Sequence, residues 1–161
     1  MRFCPECATP LVRRIPELDD RERDVCEGCG AIHYSNPKIV TGCLVTAGAR
    51  VLLARRAIEP RRGHWTLPAG FMENGETIEQ AAMRETLEEA CARVEIHGLY
   101  AVFNIPHVNQ VYMIFRAQLS DGEFAPGEES LETELFDENQ MFSMRISSLV
   151  RLENALFEEF I

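Results

Sequence analysis

Lysine is almost missing from this chain. Lys38 is the only one, and arginine supplies the rest of the 16 basic residues. Acidic residues number 26, so the net charge is −10. The chain therefore lacks the basic face that a general binder of the nucleic-acid backbone needs, and a nucleic-acid partner is not expected. The acid excess is uneven: residues 1–119 are near balance, and residues 120–161 carry most of it. That leaves room for a small phosphorylated ligand, which locally grouped arginines can hold. Long apolar runs are missing too. None approaches the ~18 residues of a membrane span, so no membrane partner is expected. The N-terminus MRFCPEC has no apolar stretch of the secretory kind, which gives a soluble cytoplasmic protein as the expectation. There is one tryptophan, Trp65, no internal repeat and no low-complexity segment. At 161 residues the chain has room for one main domain and a small appendage.

Cysteine is present, six times, and four of the six are patterned. Cys4-Pro5-Glu6-Cys7 and Cys26-Glu27-Gly28-Cys29 form two C-x2-C pairs separated by eighteen residues. Two short knuckles at this spacing place four thiolates tetrahedrally around one Zn²⁺. Paired disulfides or a redox C-x2-C are the alternatives, and a reducing compartment and the doubled motif disfavour them. A closed Cys4 site has no open position for water, so this zinc is expected to staple and not to catalyse. A ribbon this short has almost no core, and metal supplies its folding energy. The intervening IPELDDRERDV reads as a loop or short hairpin. Ser35-Asn36-Pro37 punctuates the chain, which predicts a zinc ribbon over 1–36 and the main domain over 37–161.

In the main domain, 39–46 and 51–54 read as strands joined by the turn AGAR, with Cys43 a small buried residue. The segment RRAIEPRRGHWTLPAGF then groups Arg55, Arg56, Arg61 and Arg62, which can pair with phosphate oxygens or stand solvated in a loop. Trp65 is expected to pack, and His64 to be incidental. Residues 93–104 and 108–119 alternate as two long strands joined at Ile105-Pro106-His107. Tyr112 and Phe115 lie on opposite faces, because their spacing is odd. Phe71, Phe103 and Tyr112 are candidates to stack on a flat ring, against a core role for each. The acidic loop FAPGEESLE follows, then a strand-like TELF, and 146–160 shows a helical apolar stripe.

The most informative stretch is GFMENGETIEQAAMRETLEEACA, residues 70–92. Thr77-x-x-Gln80 is a capping box that opens a helix. Ile78, Ala81 and Ala82 mark one face. Continuing that stripe gives Glu85, Glu88 and Glu89, three carboxylates within roughly one 100° arc. Met83, Leu87 and Ala90 form a second apolar strip, which predicts a helix covered on two sides with its acids at the mouth of a pocket. Two charges ~6 Å apart repel by about 3 kcal/mol at an effective dielectric of 20, so something positive must offset them. Carboxylate oxygens with no His or Cys beside them favour a hard cation, Mg²⁺ or Mn²⁺, over zinc. A solvated run of glutamates on a surface helix is the alternative.

Gly70, Glu76, Arg84, Glu85, Glu88 and Glu89 stand at the spacings of the Nudix box, with Thr86 where an aliphatic residue is usual and Cys91 where Gly is usual. The whole chain resembles the zinc-ribbon-bearing Nudix hydrolases of the FAD/ADP-ribose pyrophosphatase type. SNPK, GCLV, WTLPAG, the box and FAPGEES carry that likeness. NADH pyrophosphatases share the plan, but LYAVFNIPHV occupies the region of their SQPWPFPxS stretch.

The resemblance implies an α+β architecture, an α/β/α sandwich with a mixed sheet. It implies hydrolysis of a nucleoside diphosphate linked to another moiety, with FAD or ADP-ribose favoured over NADH. In that reading the Gly70 carbonyl, Glu85 and Glu89 hold Mg²⁺ with Glu88 beside them, and Glu76 braces Arg84. Glu129, or Glu132 next, would be the loop acid that handles water. Arg55, Arg56 and Phe71 would contact the ligand. Homodimers are common among such proteins. A non-catalytic nucleotide-sensing or partner-binding module is the reading from another class, and the retained acids favour the enzyme.

Overall fold

The computed structural model describes residues 1–137 and residue 140, so the helix expected over 146–160 lies outside the described residues. The chain divides into two compact units, Met1–Pro37 and Lys38–Ile161.

The first unit is a three-stranded antiparallel sheet in the order β1 (Leu11–Arg14), β2 (Arg23–Cys26), β3 (Ile32–His33). The segment 11–26 is thus a hairpin whose tip holds the charged residues. Cys4 and Cys7 precede β1, Cys26 closes β2, and Cys29 lies in the turn between β2 and β3.

The second unit is built on β4 (Lys38–Ala47). Its sequence KIVTGCLVTA is apolar almost throughout, and residues 40–45 are buried, as befits a strand covered on both faces. The seven-stranded sheet runs β10 (Ser130–Phe136), β5 (Arg50–Arg56), β4, β9 (Gln110–Leu119), β8 (Val94–Ile105). The β4–β9 pair is parallel and the others are antiparallel, so the sheet is mixed. β5 pairs with β4 only at its turn end, Thr46↔Val51 and Ala47↔Arg50. Beyond that the two strands part, and the short strands β6 (Trp65–Thr66) and β7 (Ala69–Phe71) fill the fork, β6 on β5 and β7 on β4. This fork is what carries Gly70 to the centre of the sheet, opposite Thr41.

Two apolar layers flank the sheet. Cys43, Val45, Leu52, Phe115 and Ala117 meet the helix α1 (Ile78–Ala90) through Ala82 and Ala90. Leu44, Leu53, Leu67, Ile114 and Phe136 form the other layer with Trp65, which meets Phe136 edge to face at 4.8 Å. Each fully buried Leu or Ile there contributes about 1.5–3 kcal/mol. Tyr112 packs on one layer and Phe115 lies in the other, as their odd spacing requires.

Helix α1 starts as expected, with both bonds of the Thr77–Gln80 capping box formed. Thr41 Oγ1 donates to Ile78 O and Met113 O, which ties the helix start to the sheet. One expectation fails. Met83 and Leu87 are 38% and 46% exposed, so the second apolar strip is not covered. The helix buries a single face, and small residues (Ala81, Ala82, Thr86, Ala90) make that face because it lies close on β4. Thr86 fits there without an orphaned hydroxyl, since its Oγ1 donates to Ala82 O at 2.7 Å. No helix among the described residues is long and apolar enough to cross a membrane.

Candidate active site and metal centres

The knuckle cysteines come together. Cys4 Sγ and Cys29 Sγ are 3.7 Å apart, Cys7 Sγ and Cys26 Sγ 3.4 Å, and all four lie within 4.8 Å of one another. A disulfide would need about 2.05 Å. Tetrahedral Zn–S bonds of about 2.3 Å place sulfurs roughly 3.8 Å apart, close to the spacing seen. The knuckle backbones close on themselves, Ala8 N–H to Cys4 O and Gly30 N–H to Cys26 O, both 2.9 Å. The donor set, the spacing and the closure all fit zinc.

The acid cluster is built differently. The capped helix starts one turn after Gly70 and runs back along β4 and β7, so Glu85 and Glu89 both face the Gly70 turn. Glu85 stands directly over the Gly70 Cα: a Cβ at Gly70 would collide with its carboxylate. Only glycine permits that approach. Glu89 is 8% exposed and accepts from Ala69 N–H at 3.1 Å. Glu88 is more exposed and points toward Arg84.

Arg84 is the positive charge that the acid repulsion demands. It makes a bidentate pair with Glu76 (2.8 and 3.1 Å), and Nη1 reaches Glu85 at 2.7 Å and Glu88 at 3.0 Å. Its Nη2 also donates to Phe71 O at 3.0 Å, which fixes the strand beside Gly70. Glu76 is held well below the usual carboxylate range, at about 2, by the Arg84 hydrogen bonds and the Glu73 N–H. Glu85 is pushed up, chiefly by burial, against the pull of Arg84. Glu89 is pushed up to about 7 by burial, although the Ala69 N–H works in the other direction, and Glu85 adds repulsion. A buried carboxylate with one N–H donor is short of positive charge, and a divalent cation would supply it. The donors are hard oxygens with no thiolate or imidazole among them, so the residues fit Mg²⁺ or Mn²⁺. Among the described residues the cysteines are nonetheless the one set of three or more such side chains gathered within 4.8 Å.

Sequence reasoning did not foresee what positions the acidic loop. Ala125 N–H donates to Ala90 O at 2.9 Å and Gly127 N–H to Glu89 O at 3.0 Å, so the loop satisfies the last carbonyls of α1. Gly127 lies so close that a Cβ would strike Glu88 O. The Glu129 backbone is then fixed by Ala57 N–H to Glu129 O at 2.8 Å, and its charge is felt at both Glu85 and Glu89. Glu132 is instead paired with Arg55 at 3.4 Å. β8 and β9 lie between the helix and Gly127 in sequence, so this contact left no local signal.

The expected ligand contacts separate. Arg55 is tied to Glu132 and, through Nε, to Gly63 O at 3.2 Å. Arg56 stands near Glu89 and Tyr112. Phe71 is 46% exposed, with Lys38 Nζ 5.0 Å from its ring centroid, so it is not a core residue. Trp65 packs, and His64 Nδ1 lies 3.2 Å from Arg61 O.

Comparison with known proteins agrees with this geometry. The NUDIX domain model matches residues 36–154, and a Nudix N-terminal model of zinc-ribbon type matches residues 2–35. The chain is similar to the crystal structure of a NUDIX hydrolase from Nitrosomonas europaea, with 51% identity, a TM-score of 0.92, and coverage of 99% of this chain and 92% of that one. It is 31% identical over 114 residues to an ADP-ribose pyrophosphatase of Methanocaldococcus jannaschii, covering 67% of this chain and 66% of that protein. It is 33% identical over 132 residues to an NAD-capped RNA hydrolase of Chromobacterium violaceum, covering 81% of this chain and 48% of that protein. The chain therefore spans about half to two thirds of the curated relatives it matches. With the NUDIX domain model matching most of the chain, and Glu85, Glu88 and Glu89 on one helix over a glycine turn of a mixed sheet, the chain belongs to the Nudix hydrolase family.

Proposed function

We propose that the chain hydrolyses the diphosphate bond of a nucleoside diphosphate linked to another moiety, ADP-ribose or FAD in preference to others, and releases two monophosphates. The observation that carries this reading is the convergence of Glu85 and Glu89 on the Gly70 turn, with the Glu129 loop locked to the end of the same helix. Glu85, Glu89 and the Gly70 carbonyl would hold Mg²⁺ or Mn²⁺, with Glu88 completing the set. Such ions, when bound, neutralise the diphosphate and make a coordinated water more acidic.

The remaining work falls to the chain itself. Arg84 fixes the positions of Glu85 and Glu88 through its own pairing with Glu76. Glu129, exposed and held through its backbone carbonyl, would accept the proton of the attacking water. Arg56 stands where it can meet phosphate charge near Glu89. The open face of Phe71 suits a flat ring.

A second reading has its own support, the similarity to proteins named NAD-capped RNA hydrolases over 81% of this chain. The acid excess and the absence of a basic run weigh against long contacts with RNA, so the reacting diphosphate is the shared feature. The test is a panel of ADP-ribose, FAD, NADH and NAD-capped RNA with Mg²⁺, with each product identified. Turnover of ADP-ribose or FAD at least tenfold above the others supports the first reading. Preference for the capped RNA supports the second. Metal binding without turnover of any of them would mark a sensor and overturn both.

A further inference from the structure

Lys38 is the only lysine of a chain with 26 acidic residues and a net charge of −10. Its ammonium nonetheless meets a ring and not a carboxylate: Nζ stands over Phe71, 5.0 Å from the ring centroid. Among the described residues no carboxylate forms an ion pair with it. The sheet dictates this meeting. Phe71 pairs in register with Val40, and Lys38 lies two residues before Val40 on β4. Residues two apart on a strand share a face, and so do residues in register across two strands. Lys38 and Phe71 are therefore diagonal neighbours on one face, within reach of a long side chain and a ring. Both backbones are fixed under the contact. Lys38 N–H donates to Asn109 O at 2.9 Å, and Phe71 O accepts from Arg84 Nη2 at 3.0 Å.

Phe71 ends β7, so its ring stands at the rim of the sheet, one residue from the Gly70 turn that Glu85 overlies. It stays 46% exposed although Lys38 occupies one of its faces. The electron-rich face of an aromatic ring attracts an ammonium, and a flat ligand ring would settle on the face that is left. The centre of such a ring would lie about 4.5 Å beyond Phe71, and so about 9 Å from Nζ. Two unit charges at that distance repel by an amount worth about twofold in affinity at the dielectric of water, and about twentyfold at an effective dielectric of 20. An uncharged ring meets no such repulsion. The other cation beside Phe71, Arg84, is already matched by Glu76, Glu85 and Glu88. Lys38 is the one whose charge acts on the ring.

We propose that Lys38 is a specificity-determining residue that filters substrates by charge: acting across Phe71, it disfavours flat rings that carry a positive charge and admits uncharged ones. This rests on the diphosphatase reading above, in which Phe71 stacks on a ring of the substrate, and deepens it. The filter works within a substrate class and not between classes. Two diphosphates alike in sugar, phosphate and ring shape are told apart by ring charge alone. A purine, a flavin or a reduced nicotinamide passes. A pyridinium, or a purine made cationic by alkylation of a ring nitrogen, is held back. A lysine that bound phosphate would act differently, because its removal would weaken every diphosphate alike.

The experiment uses two substrate pairs. One is ADP-ribose carrying 1-methyladenine, a ring that is cationic at neutral pH, against its uncharged N6-methyladenine isomer. The other is NAD⁺ against NADH. With Mg²⁺ present, kcat/KM is measured for wild type, for Lys38→Met, which keeps an apolar stem, and for Lys38→Arg, which keeps the charge. In at least one pair the wild type should favour the uncharged member about fivefold at an ionic strength of about 0.01 M. That preference should shrink toward about twofold at about 0.15 M, where the Debye length falls to about 8 Å. Lys38→Arg should keep the ratio and Lys38→Met should lose it. The pair that responds identifies the ring seated on Phe71. A ratio that Lys38→Met leaves as in wild type in both pairs, with wild type active, overturns the filter and leaves the diphosphatase reading standing. A wild-type protein that cleaves none of the four compounds overturns that reading and this one with it.

Discussion

The ribbon cysteines and the acid cluster both offer metal-ligand chemistry, yet the protein holds the two sets of side chains in opposite ways. Four thiols gather within 4.8 Å of one another in a segment whose only sheet is three short strands. The acids are kept in place by other groups: Glu85 and Glu88 by Arg84, and Glu89 by Ala69 N–H. In the ribbon a bound metal would substitute for a core. In the catalytic domain the core exists first, and the ligands are mounted on it with their charges partly balanced. A site that must admit a substrate and release products needs ligands that stand correctly without the ion. A staple does not.

The sharpest way to break this comparison is to remove one ligand from each site. Cys26→Ser should abolish zinc binding, and with it metal-supplied folding energy on the order of 10 kcal/mol. The first unit should then become sensitive to protease while the second keeps its melting transition. Zinc content by elemental analysis and limited proteolysis check this, and full zinc retention would refute the Cys4 assignment. Glu89→Gln should do the reverse. Activity should fall by about a thousandfold or more, since metal ligation is lost, and the fold should persist because Gln Oε1 still accepts from Ala69 N–H.

The same variant carries a pH signature. Glu89 is raised by burial from 4.5 to about 7, so the folded state disfavours its charged form. In magnesium-free buffer its contribution to stability is full below about pH 4.5 and is lost as pH rises through about 7. The loss is about 3 kcal/mol. Glu89→Gln should remove that slope, so above pH 7 the inactive variant should outlast the wild type on thermal denaturation. Equal slopes in the two proteins would place the Glu89 charge in water. Glu76 has the opposite sign. Arg84 holds its carboxyl at about 2, so its contribution is present above about pH 4.5 and fades as pH falls toward 2. Glu76→Gln should flatten the acid limb of the stability curve and lower kcat by about tenfold through the loosened Arg84.

How much of this was legible depends on whether a residue's role is local. The capping box, the C-x2-C knuckles and the Glu85–Glu88–Glu89 arc are fixed by spacing along one element, and spacing is what a sequence displays. Tyr112 and Phe115 fell on opposite faces for the same reason. The covered-on-two-sides reading of α1 failed at Met83 and Leu87, because periodicity shows that a face is apolar and not whether anything packs on it. Arg55 and Arg56, adjacent and alike in sequence, part company in space: Glu132 arrives beside one of them from a strand 77 residues away. The docking of Ala125 and Gly127 on the last turn of α1 was equally hidden, because it joins a helix end to a loop across two strands.

The smallest expected effect tests the one place where the helix departs from an easy backbone. Cys91 caps α1 at φ 47° and ψ 27°, in the left-handed region. That explains why glycine is the usual residue there: it takes this conformation with no Cβ clash. Among the described residues the Cys91 thiol has little to offset the strain, its polar partner being Pro126 O at 3.9 Å. Cys91→Gly relieves the clash but gives the unfolded chain more freedom, so the gain is the difference, about 0.5–1 kcal/mol. The melting temperature of the catalytic domain should rise by about 2–4 °C, with kcat and KM unchanged. A fall in melting temperature would mean that the cysteine side chain makes a contact worth more than the strain it imposes. The comparison between a site made by its metal and a site made by its fold would then need a third contributor, a packed thiol at the hinge between α1 and the loop that carries Glu129.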